Sequence, residues 1–385
     1  MKYDKYLCPT YTRPNILFVK GIGSFLYDTQ GRRYLDFTSG LACNCLGHCH
    51  PILVQEIKEQ LDFLIQTSNL YYTEPQLLLA KELSSISLKG RVFFANSGAE
   101  ANEAAFKLAR VYGKGRYKIL TAKGGFHGRT LATLSATGQE KIWKGFSPLV
   151  PGFSHIEFNC LEDAEKKIDK DTVAIMVEPI QGERGVYPAN AEYLKGLRRL
   201  CDKNDLLLIF DEVQTGIGRT GYLFAYQIHN IIPDIITLAK GLGGGFPIGV
   251  MVSRKGLGEL LEAGMHASTF GGNPISTRAG LVVLSIVNNK DFLNDVREKG
   301  NYFKEKLKEI PHKEIRQAGL MIGMDINLDA KIVVSECLKN GLLINSPNPS
   351  CIRFLPPLTI TKGEIDSGIS ILKVVFDELE RKKVK

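Results

Sequence analysis

The chain has 385 residues, 44% of them hydrophobic and 23% charged, enough to bury a sizeable core and to form two domains. No apolar run reaches bilayer length, and Met1-Lys-Tyr-Asp-Lys-Tyr-Leu-Cys-Pro9 has no signal-type apolar stretch, so a cytoplasmic protein is expected. The net charge of +8 does not point to nucleic acid: four positive charges sit in Arg381-Lys-Lys-Val-Lys385 alone, behind an amphipathic stretch, and no basic run is interleaved with aromatics.

In chain order, residues 16–38 read as an antiparallel opening. Ile16–Val19, Ser24–Tyr27 and Tyr34–Phe37 are separated by Gly21-Ile-Gly23 and by the turn Asp28-Thr-Gln-Gly31. The eight cysteines are expected as free thiols. Cys43, Cys45 and Cys49 crowd beside His48 and His50, but the paired spacing of a zinc site is missing and no second Cys/His pair follows, so no metal is expected. His50-Pro51 starts a helix carrying Ile52, Ile57, Leu61 and Leu64, and a second helix runs from Gln76 to about Ser84.

Strand and helix then alternate, the sign of a parallel α/β sheet. Strands are expected at Arg91–Ala95, Lys118–Thr121, Val173–Val177, Leu206–Phe210 and Ile235–Leu238, with helices from Ser97 and near 190–203. The Gly/Pro turn Thr269-Phe-Gly-Gly-Asn-Pro274 closes this region. A long helix follows, then short strands at Leu320–Ile326, Leu342–Asn345 and Ile352–Leu355. The terminal helix opens with a Thr361/Glu364 capping box and carries Ile365, Ile369, Leu372, Phe376 and Leu379 on one face. The expected organisation is an N-terminal segment (1–48) packing with the small domain, a large domain (49–272) and a small α+β domain (273–385).

Two strand ends carry the chemistry. Leu206-Leu-Leu-Ile-Phe-Asp211 ends in a carboxylate and Pro233-Asp-Ile-Ile-Thr-Leu-Ala-Lys240 in an amine, at the strand ends where open α/β sheets bind ligands. A buried carboxylate needs a cationic partner, and a lysine beside Gly241 and Gly243–Gly245 can lose its proton and attack a carbonyl. Such a pair suits a cofactor held by an imine at one end and by a ring cation at the other. Asn96-Ser-Gly-Ala-Glu100 opens a helix through a Ser97/Glu100 capping box. Its backbone N–H groups and dipole suit a phosphate, with simple capping as the alternative. Phe126-His-Gly-Arg-Thr130 offers an aromatic to stack on a planar ring and Arg129 to clamp a carboxylate.

Together these segments resemble the class III, pyridoxal-phosphate-dependent aminotransferases of fold type I. Asp211-Glu-Val-Gln-Thr-Gly-Ile-Gly-Arg-Thr-Gly221, with Asp234 and then Ala239-Lys240-Gly241, matches that family's signature. Phe93-Phe-Ala-Asn-Ser-Gly-Ala-Glu100, Glu178-Pro-Ile-Gln-Gly-Glu183, Ser268-Thr-Phe-Gly-Gly-Asn-Pro274 and Arg353-Phe-Leu-Pro-Pro-Leu358 extend the match, which runs from about residue 10 to the C-terminus. Within the family the similarity is to the branch that acts on acylated ornithine.

The resemblance implies an α/β fold: a large domain with a mostly parallel sheet flanked by helices, plus a smaller α+β domain. It implies pyridoxal 5'-phosphate as cofactor, N-acetylornithine as amino donor, 2-oxoglutarate as acceptor, and a homodimer with shared active sites. Residue by residue, it implies that Lys240 forms the imine and moves the proton, that Asp211 pairs with the pyridine nitrogen, and that Gln214 bonds the ring hydroxyl. Phe126 stacks on the ring; Ser97, Gly98 and Ala99 form the phosphate site, which Thr269 reaches from the neighbouring subunit. Arg129, with Ser268 nearby, binds the substrate's α-carboxylate, and Glu183 with Arg353 forms a switchable ion pair. Two departures stand out. Arg184 follows Glu183 where relatives carry a small residue, and can compete for that carboxylate. No tyrosine stands near Gly40-Leu41, where relatives acting on free ornithine place one, which favours an acylated substrate. Succinylornithine, carrier-linked lysine, free ornithine or 4-aminobutyrate as donor, or an aminomutase on the same fold, are the alternatives.

Overall fold

The strands Thr172–Val177, Leu207–Asp211 and Ile235–Leu238 are buried at every position, as aliphatic strands are when helices cover both faces of a sheet. A computed structural model, which describes residues 4–383, places them at the centre of a seven-stranded sheet. Met1–Tyr3 and the last two residues of the basic tail, Val384 and Lys385, lie outside the described residues. The sheet order is Lys89–Ala95, Gly249–Arg254, Ile235–Leu238, Leu207–Asp211, Thr172–Val177, Lys118–Ala122, Phe153–Ile156. Gly249–Arg254 is antiparallel to both its neighbours, and the other pairs are parallel. The α/β fold with a mostly parallel, helix-flanked sheet is the one expected.

Alternation along the strands sends side chains to two separate cores. Ile175, Val177, Leu208, Phe210 and Ile236 join one apolar cluster, while Ala174, Met176, Leu207, Ile209 and Ile235 join another, under the helix Gly98–Gly113. That helix lies close to the sheet because its inner face is Ala101, Ala104, Ala105 and Leu108, all fully buried. Its start is pressed against the strand Gly249–Arg254: a Cβ on Gly249 would stand 2.0 Å from the Ser97 carbonyl oxygen.

Two strands of the large sheet were not legible in the sequence. Phe153–Ile156 is four residues long with Ser154 and His155 inside it, and Gly249–Arg254 follows directly on a Gly/Pro-rich stretch. The expected long helix after Pro274 is two, Pro274–Val287 and Lys290–Leu307. Asn288 and Asn289 break it, and Asn289 caps the second helix by accepting from the N–H groups of Asp291 and Phe292. A polar strand, Glu314–Ala318, adds to Met321–Asp325, Cys351–Phe354 and Asn345–Asn348 in an antiparallel sheet. The N-terminal antiparallel strands meet this region through parallel pairing of Arg33–Asp36 with Leu342–Leu343. The terminal helix has its reciprocal cap, with the Glu364 N–H donating to Thr361 Oγ1 at 3.2 Å and the Thr361 N–H to Glu364 Oε2 at 2.8 Å.

Cys45 is buried and its thiol donates to the Gly241 carbonyl at 3.0 Å, while Cys49 is exposed. Among the described residues no group of three or more His, Cys, Asp or Glu side chains is placed to hold a metal ion, and no helix is long and apolar enough to cross a membrane.

Asp234 ties the central strands together. Its Oδ2 accepts from the Leu208 N–H at 2.8 Å and from Arg198 Nη1 at 2.8 Å, and its Oδ1 accepts from Arg254 Nε at 2.6 Å. Asp234→Ala leaves these donors without their carboxylate, a loss expected to cost about 3 kcal/mol. Urea denaturation is the check, and a midpoint equal to that of the native chain would refute this role.

Candidate functional site

Parallel pairing sets Asp211 opposite Thr237, so Asp211 and Lys240, three residues beyond Thr237, leave adjacent strands at the same sheet edge. Both border a cavity of about 440 Å³, together with Ser97, Gly98, Ala99, Phe126, Arg129, Glu183 and Gln214. Asp211 is 3% exposed. Its Oδ2 accepts from Asn102 Nδ2 at 2.9 Å and meets His127 Nδ1 at 2.8 Å, and its Oδ1 accepts from the Val213 N–H at 3.0 Å. The carboxylate is therefore fixed in direction before any ligand arrives.

Lys240 opens a short 3-10 turn, Lys240–Gly243, with φ of 45°, a left-handed conformation that is uncommon for a residue with a side chain and concentrates at functional sites. Among the described residues nothing hydrogen-bonds or ion-pairs with its ammonium. Ser97 caps the helix Gly98–Gly113, its Oγ accepting from the Glu100 N–H at 3.2 Å. The expected reciprocal bond is shifted by one residue, because the Glu100 carboxylate accepts from the Asn96 N–H at 2.5 Å. Phe126 and Arg129 lie together, the guanidinium 5.6 Å from the ring centre.

At the far end, Arg353 is fully buried, and its Nη1 donates to Glu183 Oε1 at 2.8 Å and to Gln214 Oε1 at 3.1 Å. Gln214 Nε2 reaches the same Glu183 oxygen at 3.3 Å, so the three side chains form one triangle. Burial opposes ionisation of Glu183, but the charges of Arg353 and Lys240 hold its carboxyl down at about 2. Arg184 does not compete. It is exposed, donates to Gln181 Oε1 at 3.3 Å and lies over the Tyr187 ring.

Ser268 and Thr269 stand apart from these groups, in a neighbouring cleft with Phe93, Asn96 and His266. Ser268 Oγ accepts from Asn96 Nδ2 at 3.2 Å and from the Gly271 N–H at 3.0 Å. Three buried polar neighbours of Asp211 escaped the sequence reading. Glu178 follows the strand Thr172–Val177 as a charge ending an apolar run, the same signal that marked Asp211. Asn102 is a polar residue among the alanines of a buried helix face, 1% exposed. His127 carries no signal beyond its place next to Phe126. Burial drives the Glu178 carboxyl up to about 7, with Asp211 adding to the rise against the charge of His127. Burial works against a charged His127, but its hydrogen bond and the charge of Asp211 raise it above the ordinary imidazole value.

A family model described as aminotransferase class-III matches residues 7–376. The acetylornithine aminotransferase of Caldanaerobacter subterraneus subsp. tengcongensis is 52% identical, over 97% of this chain and 98% of its own length. Among solved structures, N-acetylornithine aminotransferase from Stenotrophomonas maltophilia is similar with a TM-score of 0.84 and 34% identity, covering 99% of each chain. A PLP-bound amine transaminase from an uncultivated Pseudomonas species is similar with a TM-score of 0.91 and 27% identity, covering 97% of this chain and 98% of the other. This chain belongs to the class III aminotransferases.

Proposed function

We propose that the chain transfers the terminal amino group of N-acetylornithine to 2-oxoglutarate, giving N-acetylglutamate 5-semialdehyde and glutamate in cytoplasmic arginine biosynthesis, with pyridoxal 5'-phosphate as cofactor. The observation that carries this reading is the pairing of Asp211 with an unpartnered Lys240 in one cavity. The substrate follows the name of the relative that is 52% identical.

The residues present fit the cofactor. A buried carboxylate suits a ring cation, and a free primary amine suits a carbonyl carbon. The capped helix start, where Gly98 is packed so tightly that a Cβ would stand 2.7 Å from the Val213 side chain, suits a phosphate. When bound, pyridoxal 5'-phosphate supplies an electrophilic carbonyl and a protonated ring that withdraws electrons from the carbon bearing the amine. Lys240 Nζ would hold the cofactor through its carbonyl carbon and, as a freed amine, would serve as the base that moves the proton from the donor's amine-bearing carbon to the cofactor's carbon. Asp211, aimed by Asn102 and His127, would keep the ring nitrogen protonated. Phe126 would cover one ring face, Ser97, Gly98 and Ala99 would hold the phosphate, and Gln214 would bond the ring hydroxyl beside the Glu183–Arg353 pair. Arg129 takes the α-carboxylate of N-acetylornithine, and Arg353 leaves Glu183 to take that of glutamate or 2-oxoglutarate.

A homodimer completes the site. Phe63, Leu70 and Tyr72 are 85%, 84% and 86% exposed, apolar area that favours cover by a second copy. In that arrangement Thr269 of the partner subunit reaches the phosphate. The same reading divides the chain into an N-terminal segment (1–48), a large domain (49–272) and a small domain (273–385).

Three outcomes are expected. Among ω-amines added to the purified protein, N-acetylornithine should convert the cofactor's absorbance at the lowest concentration, and conversion by free ornithine but not by acylated ornithines would overturn the substrate assignment. Lys240→Ala should bind the cofactor without the imine absorbance and show no turnover, so retained steady-state activity would defeat the role of Lys240. The Glu183 carboxyl is depressed to about 2, so the stability it contributes is present above the free-carboxyl value and is lost as pH falls through about 2; the ion pair therefore stands throughout the working range. Glu183→Gln frees Arg353, and the half-reaction with N-acetylornithine should slow by about tenfold while that with 2-oxoglutarate changes much less. Equal losses in both half-reactions, followed by stopped-flow absorbance, would reject the switch.

A further inference from the structure

Three buried titratable groups, Glu178, His127 and Asp211, border the cavity, and only Asp211 has a proton role in the proposed reaction. His127 Nδ1 meets Asp211 Oδ2 at 2.8 Å, and the His127 side chain is fully buried. Its other ring nitrogen, Nε2, is buried with no hydrogen-bond partner among the described residues. A Cβ placed on Gly125 would stand 3.2 Å from that Nε2 and 3.6 Å from Glu178 Oε2. Both atoms thus border one gap, shared with the Ala122 carbonyl oxygen 2.9 Å from the same position, which the glycine keeps free of a side chain. Glu178 is held in place, with the same Oε2 accepting from the Phe126 N–H at 2.9 Å and Oε1 from the Gly182 N–H at 3.4 Å.

A carboxyl group and an unpartnered imidazole nitrogen bordering such a gap can hold one proton between them. It rests on Glu178 with His127 neutral, or on His127 Nε2 with Glu178 ionised. The total charge is the same, but Asp211 differs between the two. A neutral His127 gives it an ordinary hydrogen bond, whereas an imidazolium gives it a charge-assisted one and cancels much of its charge. We propose that Glu178 is a positioning residue that shares one proton with His127 and so sets the negative charge Asp211 presents to the cavity.

Glu178 faces His127, Asp211 and Lys240, and burial outweighs the two cations to bring its carboxyl to about 7. His127 faces Asp211 at Nδ1 and Glu178 across the gap at Nε2, and it also interacts with His155, from the strand Phe153–Ile156. Asp211 also faces Glu212, whose carboxyl is capped by the N–H groups of Ala225 and Tyr226. The purpose of the device rests on the cofactor reading, because the charge of Asp211 matters to a ring cation. Its titration does not.

Histidine 15N NMR on the full-length chain tests it, with His127→Gln assigning the resonance. In Glu178→Gln the midpoint of His127 should fall by about one pH unit or more, because an acidic neighbour has been removed. Glu178→Asp should restore part of that shift. An unchanged midpoint in a Glu178→Gln protein with native circular dichroism overturns the proposal and leaves the cofactor reading intact. If that variant does not fold, the native chain decides. Glutamate labelled with 13C at the carboxyl should show one group titrating in the same pH interval as His127, and two separate steps would overturn the proposal.

Discussion

The pairing of Leu207–Asp211 with Ile235–Leu238 is the constraint on which the site depends. Because the two strands are parallel and in register, a carboxylate at the end of one and an amine just beyond the other reach the same edge without any loop to position them. A slip of one residue would turn the Asp211 side chain to the opposite face. Full burial of both strands makes that slip costly, since each would exchange one apolar core for the other. Asp234 reinforces the register from the opposite end of the same strand pair, bonding the Leu208 N–H and two arginines.

Around that edge, polar groups come from elements that the sheet has already fixed. Asn102 projects from a helix whose alanine face lets it lie close to the strands. His127 is delivered by the loop after Lys118–Ala122, and its N–H is held by Thr137 Oγ1 at 2.9 Å. Asp211 is thus oriented by neighbours that are themselves buried and bonded, so little reorganisation remains for the moment of reaction.

Much of this was legible in the sequence, because the signals were local. Apolar runs ending abruptly in Asp211 and Lys240, the capped start at Ser97 and the Phe126–Arg129 loop could each be read within a few residues. Strands such as Gly249–Arg254 and Glu314–Ala318 were not, because their pairing partners, distant in sequence, stabilise segments with weak local patterns. Glu178 was readable by the same rule as Asp211. The Gln214 contacts with Glu183 and Arg353 were not, since they join three segments separated by 31 and 139 residues. The fate of Arg184 also needed the fold. Its side chain has Gln181 and the Tyr187 ring to rest on, so the neighbouring carboxylate is left to Arg353.

Gly182 leaves the room that Gln214 occupies at the far end of the cavity. A single carbon added there would stand 1.8 Å from Gln214 Oε1 and 2.9 Å from the Met321 methyl group. Both atoms end flexible side chains, but Gln214 bonds Glu183 through Nε2 and Arg353 through Oε1, so a side chain at position 182 would have to move Gln214 out of the triangle. Position 182 therefore acts on the ion pair that borders the cavity without bordering the cavity itself.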